Sequence, residues 1–358
     1  NPSSHFMLEF IQLLNQRYQT ILANLKENDP QVALFQQRLE QLIFTEAFIR
    51  KGGLLESSPE TPLQIAIIGP TQAGKSSITN LILNSQLAGV SPLAGYTVHP
   101  QGFCHKVRLL NCSGLQNYFG RFQQLNLQAL TKERHDCFSL TETNDDSEIL
   151  PECVFWDTPD FDSIDSADYR EGVIRTIALA DIVVLVVSKE KYADQSVWDM
   201  MSTIESFHQT TLICVNKLIE GTEDLIINSL KQKWLQARQD EFPGVIPLHF
   251  QKQTAQPVWP LSENDCFFQL KKAVSLQKHF EYQHNLLNKY WHSWLGPIVA
   301  EHEALKLWEI LVDKAVEQAL EEYQRDYLNH PHYYDTFQNA LIELLNLLEI
   351  PGISRVIT

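Results

Sequence analysis

The sequence predicts an α/β fold, a mostly parallel sheet with helices on both faces, joined to an all-α helical bundle. Three observations predict it. The β-branched runs Asp181-Ile182-Val183-Val184-Leu185-Val186-Val187 and Thr211-Leu212-Ile213-Cys214-Val215 alternate with helical patterns, as buried parallel strands with crossover helices do. Before residue 55 and after residue 261 the apolar periodicity is helical only. Between them the stretch Gly69-Pro70-Thr71-Gln72-Ala73-Gly74-Lys75-Ser76-Ser77 separates the apolar run Ile65-Ala66-Ile67-Ile68 from Ile78-Thr79-Asn80-Leu81-Ile82-Leu83. The expected domains are therefore an N-terminal helical hairpin (1–55), an α/β domain (56–261) and C-terminal helices (262–358) that complete a bundle with the hairpin.

Residues 4–27 place Phe6, Phe10, Ile11, Leu14, Tyr18, Ile21, Leu22 and Leu25 at the three-to-four spacing of an amphipathic helix, with Ser3 or Ser4 as cap. Asn28-Asp29-Pro30 breaks it, with Asp29 as the next N-cap. A second helix runs through Leu34, Leu39, Leu42, Ile43 and Phe48 and is expected to end at Gly52-Gly53. Neither stripe can be buried alone, so the hairpin needs a partner. Residues 54–62 read as a linker, and 91–100 as loop. Strands are expected near 103–110 and 152–157. The segment between them reads as a solvated insertion with one helix near 114–130 and a polar loop at 142–148. Further on come strand 181–187, helix 194–207, strand 211–215, helix 223–241 and a strand near 245–250. Helices follow over about 263–295, 298–328 and 333–349, broken at Gly296-Pro297 and Pro331.

The composition is that of a globular protein. The chain has 358 residues, 44% hydrophobic and 20% charged, enough for one large or two modest domains. A net charge of −16 opposes bulk attraction to nucleic acid or to an anionic membrane, and no nucleic-acid partner is expected. The six cysteines form no C-x-x-C pair, a pattern of reduced thiols in a cytoplasmic compartment. There is no run of about 18 apolar residues and no secretory signal. The chain opens on Asn1-Pro2 and stops at Val356-Ile357-Thr358 in an apolar phrase, as a piece of a longer protein would.

The stretch Gly69–Ser77 fits G-x-x-x-x-G-K-[ST] at every fixed position, in a strand, loop, helix setting. Gly69 and Gly74 let the backbone turn tightly and aim its N–H groups inward, an anion-binding concavity at a helix N-terminus. Lys75 then reaches the β- and γ-phosphates of a nucleotide, and the Ser76 hydroxyl can ligate Mg²⁺. A second constellation, Asp157-Thr158-Pro159-Asp160-Phe161-Asp162, follows the strand Val154-Phe155-Trp156. An acid at a strand tip can hold the water shell of Mg²⁺ while the next backbone N–H groups approach a γ-phosphate. The third is Val215-Asn216-Lys217-Leu218-Ile219-Glu220, at the end of an apolar strand.

In order and placement these three resemble the G1, G3 and G4 motifs of translation-factor-class P-loop GTPases, over roughly residues 62–260. The resemblance implies GTP and GDP as ligands, Mg²⁺ as cofactor and Thr97 as the switch threonine that completes the Mg²⁺ shell beside Ser76 and Asp157. It puts phosphate contacts on Gly69, Pro70, Thr71, Gln72, Ala73, Gly74, Lys75, Ser76, Ser77 and Asp160, and base contacts on Asn216 and Lys217. The flanking helices resemble the dynamin superfamily, including its bacterial members. This implies Gln72 as a polar catalytic contributor beside Lys75 and Thr97, slow hydrolysis that self-assembly accelerates, a nucleotide-dependent homodimer, and a membrane surface reached through a segment outside these residues.

Three departures stand out. The G4 aspartate position holds Ile219, which accepts nothing, leaving Glu220 or Asp224 as substitutes or base selectivity weak. The glycine of D-x-x-G is Asp160, which adds a negative charge. No glutamine follows the D-T-P turn, and no arginine finger is evident, Arg108, Arg121 or a neighbouring subunit being the candidates. Asp160 and Ile219 keep a second reading open, a nucleotide-dependent binding module with little hydrolysis.

The histidines His279, His284, His292 and His302 share helical segments, but few fall on one face and no metal is expected there. The apolar run Leu341–Ile350 reads as core packing or as the lead-in to a membrane-binding segment.

Overall fold

The computed structural model describes residues 2–86, 98–131, 133–144, 146–162, 167–249 and 257–348. They fall into two units, one ending at Tyr290 and one beginning at Trp291.

In the first unit, α1 (Pro2–Asn24) packs on α2 (Val32–Ser57). The carboxylate of Asp29 accepts the Gln31 N–H at 2.8 Å in the turn between them. Helix α2 does not stop at Gly52-Gly53 but continues to Ser57. Gly52 is there for close approach rather than termination. A Cβ on it would stand 2.9 Å from Gln283 Oε1 and 3.2 Å from the Phe280 ring.

The sheet is built from β1 (Leu63–Ile68), β2 (Gln101–His105), β3 (Gln123–Leu125), β4 (Cys137–Glu142), β5 (Cys153–Asp157), β6 (Ile182–Ser188), β7 (Thr210–Leu218) and β8 (Gly244–His249). Their spatial order is β3-β4-β2-β5-β1-β6-β7-β8, and every neighbouring pair is parallel except β2 with β5. Helices α3 (Lys75–Leu83), α4 (Gly114–Phe119), α5 (Ala167–Leu179), α6 (Gln195–Ile204) and α7 (Glu223–Ala237) connect them. The alternation of side chains along the central strands gives the sheet two cores. Ala66, Ile68, Trp156, Val183 and Leu185 meet residues of α2, α4, α5, α6 and α7 on one face. Ile65, Ile67, Phe155, Val184 and Val186 meet α3 and Phe267 on the other.

The segment expected to be a solvated insertion is instead the outer part of the sheet. Its helix is confined to α4, and β3 and β4 follow. The reason is aromatic: Phe119 stacks on Phe138 at 4.2 Å and lies 5.3 Å from Trp156, so β4 is pulled onto the core.

Helix α2 packs against α4 and α5 and is tied to the sheet by Lys51, a buried cation. Its ammonium pairs with Asp181 at 2.7 Å and donates to the Ala180 carbonyl at 3.0 Å, while Asp181 accepts the Gln64 N–H of β1 at 2.8 Å. After α8 (Cys266–Lys271) comes α9 (Leu276–Tyr323), one helix of 48 residues with Pro297 inside it. The expected break at Gly296-Pro297 is absent, because a proline forfeits one intrahelical bond and the turns on either side outweigh that loss. In the first unit α9 contributes His279, whose Nε2–H donates to the Phe48 carbonyl at 3.0 Å with the rings 4.1 Å apart. The second unit holds the rest of α9, a π-helical turn (Gln324–Leu328) and α10 (Tyr333–Leu347). No described helix is long and apolar enough to cross a membrane.

Burial, reinforced by the nearby Lys51 ammonium, pushes the His279 imidazole down to about 3. The unfolded chain takes up this proton near pH 6.5 and the folded chain does not, so the contribution is complete above that pH and is lost as the pH falls. Urea unfolding should show wild type losing about 2 kcal/mol between pH 7 and pH 5 that His279→Gln does not lose. Identical acid slopes would contradict the buried neutral ring.

Candidate functional site

Strands β1, β5, β6 and β7 run parallel or alongside one another in register, so their C-terminal ends share one edge of the sheet, the edge where α/β folds bind ligands. The loop from Gly69 to Gly74 lies there, between the end of β1 and the start of α3. Two glycines are dictated by contact. A Cβ on Gly69 would stand 2.3 Å from the Val186 carbonyl oxygen of β6, and Gly74, at φ +95°, would bring a Cβ to 2.2 Å from Asn216 Nδ2. Gln72 also takes a left-handed φ of 63°. The first turn of an α-helix carries N–H groups that make no intrahelical bond, and that turn of α3 begins directly after Gly74.

Lys75 is the first residue of α3, and its side chain folds back under the loop. The ammonium donates to the carbonyls of Gly69 at 3.2 Å and Pro70 at 3.5 Å and pairs with the Asp160 carboxylate. Both partners are almost wholly buried, at 4% and 5% exposure. Ser76 Oγ donates to Asp157 Oδ2 at 2.8 Å, joining α3 to the tip of β5. Asn216, near the end of β7, donates from Nδ2 to the Ala73 carbonyl at 3.0 Å and accepts the Lys217 N–H at 2.9 Å. Lys217, at φ 58°, reaches the Gln72 carbonyl at 2.9 Å with its ammonium.

The residues singled out from the sequence thus meet. Lys75 with Asp160, and Asn216 with Lys217, bear on the loop Gly69–Gly74, and Ser76 with Asp157 on the first turn of α3 that follows it. Thr97 lies outside the described residues. Gln72 and Ser77 are exposed, and so is Ile219. Of the substitutes weighed for Ile219, Glu220 is exposed and Asp224 sits in the first turn of α7. Arg121 pairs with Glu171 of α5, and Arg108 precedes the short 3-10 turn Leu109–Cys112.

Sequence reasoning missed the contacts that pin the acidic turn. Asp162 accepts both the N–H and the hydroxyl of Thr71 at 2.7 Å, clamping the phosphate loop. The Tyr169 hydroxyl donates to the Asp160 carbonyl at 2.8 Å. Arg170 donates to the Phe161 carbonyl at 3.0 Å and pairs with Glu40 of α2. Asp162 lay in the quoted turn and could have been suspected from its short side chain; Tyr169, Arg170 and Glu40 carried no local signal.

The donor set suits a hard cation. The Ser76 hydroxyl and the Asp157 carboxylate are oxygen ligands of the kind Mg²⁺ takes, one or two at a time, with water and phosphate. Among the described residues no group of three His, Cys, Asp or Glu could hold a metal by itself.

Comparison with known proteins agrees with this geometry over part of the chain. Residues 64–217 match the family of 50S ribosome-binding GTPases. No curated protein matches the sequence. Two of the similar solved structures are an oligomerised bacterial dynamin pair, described as sensing and tethering membranes, and chloroplast translocon components whose dimerisation is described as important for GTPase activity. The first is 14% identical with a TM-score of 0.39, covering 95% of this chain and 53% of the other, so this chain spans about half its length. The second is 13% identical with a TM-score of 0.33, covering 64% and 88%. The eight-stranded, mostly parallel sheet, with the loop Gly69–Gly74 between β1 and α3, has the fold of a P-loop GTPase domain, and residues 64–217 are similar to the 50S ribosome-binding GTPases.

Proposed function

We propose that this chain is a Mg²⁺-dependent GTP-binding and GTP-hydrolysing switch of the translation-factor class, dynamin-like in its flanking helices. One observation carries the reading: Lys75, Asp157, Asn216 and Lys217, from three separate parts of the sequence, converge on the loop Gly69–Gly74 and the first turn of α3. The loop amides and Lys75 hold the β- and γ-phosphates, and Asn216 and Lys217 brace the loop on the side where the base lies. Ser76, Asp157 and, from outside the described residues, Thr97 would hold Mg²⁺. The cation, when bound, neutralises charge that develops on the phosphates. Phosphoryl transfer then needs mainly positioning and charge neutralisation, which the amides and Lys75 supply. Gln72 adds a polar group at the loop's exposed crest.

On this reading the chain divides into a hairpin at 1–55, a GTPase domain at 56–261 and C-terminal helices from 262, with the flanking helices as the parts that the switch moves. The contact chain supports this coupling: Thr71 is held by Asp162, and Arg170 links the neighbouring carbonyl to Glu40 on α2. A second copy supplies the group that speeds hydrolysis, and the work is done in the cytoplasm or at a membrane surface. The alternative, a binding module with little hydrolysis, is favoured by one observation, the Asp160 carboxylate on Lys75.

Titration with fluorescent GDP, ADP and a non-hydrolysable GTP analogue, with and without Mg²⁺, tests the reading. GDP should bind more tightly than ADP, Mg²⁺ should strengthen the triphosphate complex, and Lys75→Ala should weaken binding at least about tenfold, about 1.4 kcal/mol. Equal affinity for both bases removes the guanine assignment, and unchanged binding by Lys75→Ala removes the site. Phosphate release per molecule should rise with protein concentration; a constant rate would contradict activation by assembly.

A further inference from the structure

We propose that Asp160 is a specificity-determining residue that sets the site's preference for a nucleoside diphosphate over a triphosphate, its carboxylate standing where a terminal phosphate would contact Lys75. The inference rests on the reading of the loop as a nucleotide site. The Lys75 ammonium faces three acceptors, the carbonyls of Gly69 and Pro70 and the Asp160 carboxylate, and only the last is charged. A carboxylate and a phosphoryl oxygen make the same charge-assisted contact with an ammonium, so they compete for one cation.

The carboxylate is not a loose arm. The Asp160 carbonyl is held by the Tyr169 hydroxyl, the Phe161 carbonyl by Arg170, and Asp162 by Thr71 of the loop itself. The backbone is pinned at and after Asp160, which presents its side chain to Lys75. A β-phosphate can draw on the loop amides and take the Lys75 ammonium in place of one of the two carbonyls, leaving the pair with Asp160 intact. A triphosphate must place its terminal phosphate beside a buried carboxylate, where like charges repel strongly, or pull Lys75 away from it. The Lys217 ammonium, on the Gln72 carbonyl, is committed elsewhere. A glycine or an amide at 160 removes that repulsion.

Wild type, Asp160→Asn and Asp160→Gly are titrated with GDP and a non-hydrolysable GTP analogue at fixed Mg²⁺ and salt, and in parallel with inorganic pyrophosphate and tripolyphosphate. Circular dichroism confirms folding, and the near-isosteric Asn keeps the test open if Gly does not fold. Wild type should favour the diphosphate by about tenfold or more, and both variants should shift the ratio toward the triphosphate by at least about tenfold. Equal affinities in wild type, or a ratio unmoved by Asp160→Asn, would overturn the role of Asp160 while leaving the site in place. Wild type that takes up neither nucleotide nor polyphosphate would instead bring down the nucleotide reading, and this inference with it.

Discussion

A lysine ammonium that is almost wholly buried must have an anion, and Lys75 at the start of α3 is such a group. Its position follows from the two glycines, since only bare backbone fits at Gly69 beside the β6 carbonyl and at Gly74 beside Asn216. The result is a concentration of positive potential, from a helix N-terminus and a buried cation, at the carboxyl edge of the sheet. Asp160 balances it in this structure. Removing one partner of such a pair commonly costs about 3–5 kcal/mol, so whatever takes the place of Asp160 must carry comparable charge. A nucleotide phosphate does.

From that point a continuous set of contacts leads outward. The loop is clamped by Asp162, the turn after Asp160 is gripped by Arg170, and Arg170 reaches Glu40 on α2. Helix α2 is fastened again at its other end, where Lys51 meets Asp181 at the head of β6. A change in the acidic turn therefore reaches a helix that also contacts the sheet's flanking helices α4 and α5. This gives the proposed switch a physical route, through charge-assisted hydrogen bonds rather than through the hydrophobic core.

The parts of the site that were legible in the sequence are those whose chemistry is contiguous. Gly69–Ser77 needs its residue types within one turn, and Asp157 and Asn216-Lys217 each stand at the end of an apolar run, so pattern alone located them. The sheet's centre was legible because β6 is apolar up to its last residue and β7 carries the apolar run Leu212–Val215. What escaped depends on residues distant in the chain. Strand β4 owes its place to aromatic contacts with Phe119 and Trp156, which no local period encodes. Gly52 looks like a helix end until Phe280 and Gln283 are packed against it. The grip of Tyr169 and Arg170 on the acidic turn is made with backbone carbonyls, and a sequence gives no warning of these.

The central claim is that the loop between β1 and α3 is the phosphate cradle. Hydrogen–deuterium exchange with saturating GDP and Mg²⁺ tests it most directly, because the loop's own amides are the proposed ligands. The account predicts slowed exchange at residues 71–77, with smaller protection at 157–162 and 216–217. Unchanged exchange across 71–77, with protection confined to another part of the chain, would contradict it.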